Sequence, residues 1–228
     1  MKIISVELHT RQPEELKAFY TETLGLPLLS EEQQAFSVQV GHSTLTFRTN
    51  LERPVGGYHL AFNLPGNRIG EAGEWLQDRV AFLYAPGSTS PVVYHEAWQA
   101  QALYFYDPEL NLLEFISHRT ASASLAPFGP EQLIGVAEVG LPVRDVASFA
   151  QELREKLQLP RWKSANALFE AAGGPEGMLI VVQEQRPWFP TQNPAQALPL
   201  RLSVQAPGKG RIEHSLFEIS PAAATPQV

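Results

Sequence analysis

The sequence predicts an α+β protein in which a strand-helix-strand-strand-strand (βαβββ) unit recurs, well kept in the first half of the chain and degenerate in the second. Three observations predict it. Short segments with period-two apolar alternation outnumber segments with helical spacing. The two kinds follow one another in an order that repeats along the chain. Three residues able to ligate a metal, His9, His59 and Glu114, each sit in one of the strand-like segments.

The first unit opens with a strand over residues 3–9, where Ile4, Val6 and Leu8 share one face and Ser5, Glu7 and His9 the other. Pro13 to Leu24 is a helix with Leu16, Phe19, Tyr20 and Leu24 on one stripe. Residues 35–40 and 43–48 form a hairpin about a Gly41-His42 turn. The second unit starts at Tyr58 to Leu64, with His59, Ala61 and Asn63 on one face, and continues into a helix near Ile69 to Val80. Strands follow at 81–84, 91–95, 103–106 and 112–117, the last preceded by the turn-forming Asp107-Pro108-Glu109-Leu110-Asn111.

Arg119 to Pro130 is rich in small residues and proline, a linker composition. Beyond it, residues 134–142 match 4–12, with Val139 in the place of His9. Val146, Phe149, Leu153 and Leu157 make a helical stripe, and 168–172 and 177–183 are strands. Residues 201–207 match 59–65, with Arg201 in the place of His59, and Gly208-Lys209-Gly210 stands where a helix is due. The expected division is therefore 1–118 as the equipped domain, 119–130 as linker, 131–220 as a degenerate second domain and 221–228 as a flexible tail.

A hydrophobic content of 44% with 18% charged residues suits a globular protein with a sizeable core. The net charge of −7, with no cluster of lysine and arginine, argues against a nucleic-acid partner. With no cysteine there is neither a disulfide framework nor a thiolate metal site. No apolar stretch is long enough to span a bilayer and the first residues run straight into a strand, so a cytoplasmic protein with a small-molecule substrate is expected.

Glu114 lies inside Leu112-Leu113-Glu114-Phe115-Ile116, where a carboxylate is costly to desolvate unless it is paired or metal-bound. Two imidazoles and one carboxylate form the set that holds an iron(II)-type ion while leaving positions open for substrate and oxygen. Other residues leave two readings open. Trp162, Trp188 and Phe189 either line a pocket or fill the core, and Arg201 is either a carboxylate-binding group or a surface cation.

Repeated βαβββ units with His9, His59 and Glu114 in these strands, closed by Asp107-Pro108-Glu109-Leu110-Asn111-Leu112-Leu113-Glu114, resemble the vicinal oxygen chelate superfamily. That group includes glyoxalase I, fosfomycin- and bleomycin-resistance proteins and type I extradiol ring-cleaving dioxygenases. The resemblance covers residues 1–118 well and 131–220 weakly. It departs at Leu110, where the family usually places glycine, and in carrying its ligands in the N-terminal half. The resemblance implies curved mixed sheets around a metal pocket, with Fe(II) as the first candidate and Mn, Ni or Zn as alternatives. It is closest to the extradiol enzymes: Tyr104 lies ten residues before Glu114, His95 nine before Tyr104, and His42 is the candidate acid-base histidine. On this reading Tyr104, His95 and His42 are catalytic. The implied activity is ring cleavage of a small aromatic diol, the alternatives being glyoxalase-like or fosfomycin-resistance-like chemistry and metal-free binding of a small molecule. The second half either completes the pocket or pairs with another chain in a homodimer.

Overall fold

The computed structural model describes residues 1–52 and 55–222, so the expected tail lies, from residue 223 on, outside the described residues. Among the described residues, sixteen strands and three α-helices occur in this order: β1 (Lys2–Thr10), α1 (Pro13–Ala18), β2 (Leu28–Glu32), β3 (Ala35–Val40), β4 (Ser43–Thr49), β5 (His59–Leu64), α2 (Ile69–Leu76), β6 (Phe82–Leu83), β7 (Val93–His95), β8 (Ala100–Tyr106), β9 (Leu112–His118), β10 (Gly135–Val143), α3 (Val146–Leu157), β11 (Arg161–Asn166), β12 (Phe169–Gly174), β13 (Gly177–Gln183), β14 (Leu200–Gln205), β15 (Ile212–Glu213) and β16 (Phe217–Pro221). The predicted α+β class and repeated unit are present. The first helix ends early and passes into a π-helical turn over Phe19–Thr23, and β2, β11 and β15 are strands that alternation did not reveal.

The strands make two open mixed sheets, ordered β15-β16-β14-β1-β4-β3-β2 and β11-β12-β13-β10-β5-β9-β8-β6, with β7 also paired to β8. The two orders correspond. In each, an antiparallel pair at the centre (β1 with β14, β10 with β5) is flanked by parallel partners (β4 and β16, β13 and β9). Each sheet therefore joins one unit from each half of the chain: the first unit with the fourth, and the second with the third. A division at the 119–130 linker cuts across both sheets.

The apolar faces of both sheets feed one core, in which Val6 and Leu8 of β1, Leu60 and Phe62 of β5, and Val136 and Val139 of β10 are all buried. Helix α1 packs on β3 and β4, α2 on β8 and β9, and α3 on β12 and β13. Asp145 caps α3 by accepting from the Ser148 amide at 3.0 Å. In the fourth unit, Gly208 and Gly210 instead donate their amides to the Leu157 and Lys156 carbonyls at the end of α3. A Cβ at Gly208 would lie 2.4 Å from the Lys156 oxygen, so the missing helix is replaced by a close backbone contact that only glycine permits.

Candidate metal centre

The concave face of the second sheet carries the chemistry. In register across it run Tyr104 on β8, Glu114 on β9, Ala61 on β5 and Glu138 on β10. His59 lies two residues before Ala61 on the same face. Ala61 is a methyl group between two carboxylates, and its size leaves them room to approach. His59 Nε2 stands 3.7 Å from a Glu114 oxygen and 3.6 Å from a Glu138 oxygen, and one ligand atom of each residue lies within 4.8 Å of the others. These separations exceed a hydrogen bond and are of the order found between ligand atoms about 2.1 Å from a shared ion.

The local electrostatics fit a cation. Glu114 is 3% exposed and Glu138 4%, and among the described residues the basic side chain within 4 Å of each carboxylate is the His59 imidazole. Glu138 Oε1 is buried with no hydrogen-bond partner. Burial, and then repulsion from Glu138, pushes the Glu114 carboxyl well above the ordinary carboxylate range. On the other side of the imidazole, Nδ1 lies 3.2 Å from the Leu112 carbonyl, a contact that places its proton on Nδ1 and turns the Nε2 lone pair toward the carboxylates. Two buried carboxylates with so little compensation are the donor set that a divalent ion relieves.

Beside these three, Tyr104 and His95 form a connected pair. His95 Nε2 is 2.8 Å from the Tyr104 hydroxyl, and Tyr104 stands directly opposite Glu114 in the β8–β9 pairing. Burial raises the phenol well above its ordinary value of 10 and lowers the imidazole, so at neutral pH both groups are uncharged.

Trp188 closes the third side. Its ring centroid is 5.0 Å from that of His59, and Phe189 stands edge-on to both His95 and Tyr104 at 5.7 Å. Gly140, two residues along β10 from Glu138, makes this possible: a Cβ there would lie 2.7 Å from the Trp188 ring and 3.0 Å from His59 Cβ. The resulting cavity has a volume of about 440 Å³ and is walled chiefly by Trp98, Tyr104, Phe169, Ile180, Trp188 and Phe189. Of the two readings left open for the aromatic residues, Trp188 and Phe189 line the cavity. Trp162 packs at the edge of the adjoining apolar cluster.

The structure thus brings together His59, Glu114, His95 and Tyr104, and it does not bring His9 or His42 to them. His9 belongs to β1 in the other sheet, where its Nδ1 is 3.1 Å from Asn50 Nδ2. The corresponding face there holds an ion-pair network: Glu7 binds Arg48 and Arg201 at 3.1 and 2.8 Å, and Arg201 binds Glu218 at 3.4 Å. His42 sits in the β3–β4 turn, its ring against Gly135, outside the cavity. In place of His9 the third member of the cluster is Glu138, which the alignment of Val139 with His9 passed over. A β-bulge between Val136 and Glu138 is the cause. It sends Val136 and Val139 into the main core and turns Ala137 and Glu138 to the cavity side. An acidic residue inside Val136-Ala137-Glu138-Val139 was the available signal.

The geometry matches known folds. The chain superposes with TM-score 0.65 on a protein of Bacillus subtilis subsp. subtilis str. 168 assigned provisionally as a dioxygenase, at 15% identity over 97% of this chain and 85% of that one. A glyoxalase I variant from Zea mays matches with TM-score 0.55 and 12% identity, over 90% of this chain and 74% of that one. No protein-family model and no curated protein sequence matches the chain. The chain thus shares the fold of these two proteins, the mixed α+β arrangement of curved sheets that the sequence implied. Among the described residues no helix is long and apolar enough to cross a membrane.

Proposed function

We propose that this chain is a divalent-metal-dependent enzyme in which His59, Glu114 and Glu138 hold the ion and the aromatic cavity beside them binds a small substrate. The observation that carries the reading is the pair of buried carboxylates facing an imidazole whose other nitrogen is already engaged. A bound ion would supply Lewis acidity there, lowering the pKa of a coordinated hydroxyl.

The chain's own groups do the rest. Tyr104 stays protonated and stands across from Glu114 on the neighbouring strand, beside the cavity. His95, kept neutral by burial, accepts or returns a proton through the Tyr104 hydroxyl. Trp188 and Phe189 present apolar surface at this end of the cavity, which strengthens the polar contacts beside it.

The finer reading is extradiol-type cleavage of a small aromatic diol, with Fe(II) as the first metal. Its support is the hydrogen-bonded His95–Tyr104 pair beside a ligand glutamate, at the spacing the resemblance implies, within walls suited to an aromatic ring. Glu138 favours a second reading. One histidine and two carboxylates form a harder set than two histidines and one carboxylate, which admits Mn and a glyoxalase-like isomerisation. Oxygen uptake separates the two. Protein reconstituted anaerobically with Fe(II), then given catechol and air, consumes O₂ and forms a ring-opened product on the first reading. Metal-loaded protein that consumes none leaves the isomerase or lyase reading in its place.

A further inference from the structure

The cavity has a cation that the metal centre does not use. Arg186, on the segment after β13, is the one lysine or arginine among the described residues that line the cavity. Its guanidinium lies over the Phe169 ring at 5.4 Å, and its hydrogen-bond contact is a long one, 3.4 Å, to the carbonyl of its own neighbour Pro187. Among the described residues no carboxylate pairs with it, and partial burial lowers its proton affinity. Other arginines on strands or over rings have a carboxylate or a main-chain carbonyl at shorter range, as Arg48, Arg79, Arg161 and Arg201 do. A partly desolvated guanidinium without a counter-ion costs stability, and it is a ready bidentate site for a carboxylate.

Charge balance at the metal end points the same way. Glu114 and Glu138 together neutralise a divalent ion, so the metal centre has no positive charge left for an anionic substituent elsewhere on the substrate. Arg186 supplies one. Between the two ends, Trp98, Phe169 and Trp188 offer flat apolar walls to a ring-sized body.

We infer that the substrate is an aromatic carboxylate carrying adjacent oxygens: the oxygens face His59, Glu114 and Glu138, and the carboxylate pairs with Arg186. This rests on the proposed metal centre for the oxygen end only; the carboxylate end stands on Arg186 and Phe169.

Binding measurements separate the two ends. Fe(II)-loaded protein under nitrogen is titrated with catechol and with 2,3- and 3,4-dihydroxybenzoate, which differ from catechol by a carboxylate. The better dihydroxybenzoate is expected to bind about tenfold more tightly, the order of one charge-assisted contact. Arg186→Met should bring that ratio to about one, and Arg186→Lys, which keeps the charge without the fork, should retain part of it. A ratio near one in the wild type, or one unchanged in Arg186→Met, overturns the inference. If the protein takes up no metal, benzoate is compared with benzamide on the metal-free protein. A benzoate preference that Arg186→Met abolishes then upholds the carboxylate site while the metal reading fails, and no preference overturns both.

Discussion

Single residues decide how the site is built, and the turn before Glu114 shows how. Asp107 Oδ1 accepts from the amides of Glu109 and Asn111, and its Oδ2 from the Asn111 side chain and the Tyr20 hydroxyl. Asn111 Oδ1 then accepts from the Tyr58 amide, which ties the start of β9 to the start of β5 and so Glu114 to His59. Burial raises the Asp107 carboxyl to about 6, the cost of placing this hub in the interior. Within the turn Leu110 is exposed and holds φ +60°, the left-handed region. Leu110→Gly should raise stability by about 1 kcal/mol, the cost of that conformation for a side chain. Thermal unfolding checks it: an upward shift of a few degrees is expected, and a drop would show that the leucine contributes packing that outweighs its strain. His42 gives a pH prediction. Burial lowers its folded pKa below the unfolded value near 6.5, so the unfolded chain takes up the proton first and stability falls as pH drops below that value. Denaturant midpoints between pH 7.5 and 5 should decline less steeply in His42→Gln than in the wild type.

At the scale of elements, what could be read from sequence depended on whether a strand stays regular. β5 and β9 alternate without interruption, so His59 and Glu114 stood out as polar residues in apolar runs, and the Tyr104 and His95 spacings added the neighbouring strands. β10 carries a bulge, which moves the inward face by one residue and put Glu138 where period-two counting expects an outward or core position. The same strand shows a second constraint. Gly140 is not in a glycine-only conformation; it is small because Trp188 and His59 occupy the space above it. Gly140→Ala should cost about 1–3 kcal/mol, as overpacking does, and should loosen Trp188 from the imidazole. A lower unfolding midpoint together with increased quenching of Trp fluorescence by acrylamide is the expected result. An unchanged midpoint would mean that Trp188 moves aside freely and does not fix His59.

At the scale of the molecule, the repeated units were legible, but their pairing was not. Alternation tells which residues share a face, and nothing in it tells which strand lies alongside which. The first and fourth units pair through β1 and β14, and the second and third through β5 and β10. That choice separates His9 from His59 and makes the third unit, from the half expected to be degenerate, a supplier of Glu138, Trp188 and Phe189. The first sheet keeps the architecture and fills the equivalent face with the Glu7–Arg48–Arg201–Glu218 network. The identity of the residues that bind the ion is therefore decisive. Elemental analysis of the purified wild type, Glu138→Gln and His9→Ala tests that directly. About one divalent ion per chain is expected in the wild type and in His9→Ala. Glu138→Gln should lose it, with affinity down by more than the roughly 10–100-fold that removal of a supporting partner costs. A wild type that binds no ion, or an ion kept by Glu138→Gln and lost from His9→Ala, would contradict the assignment.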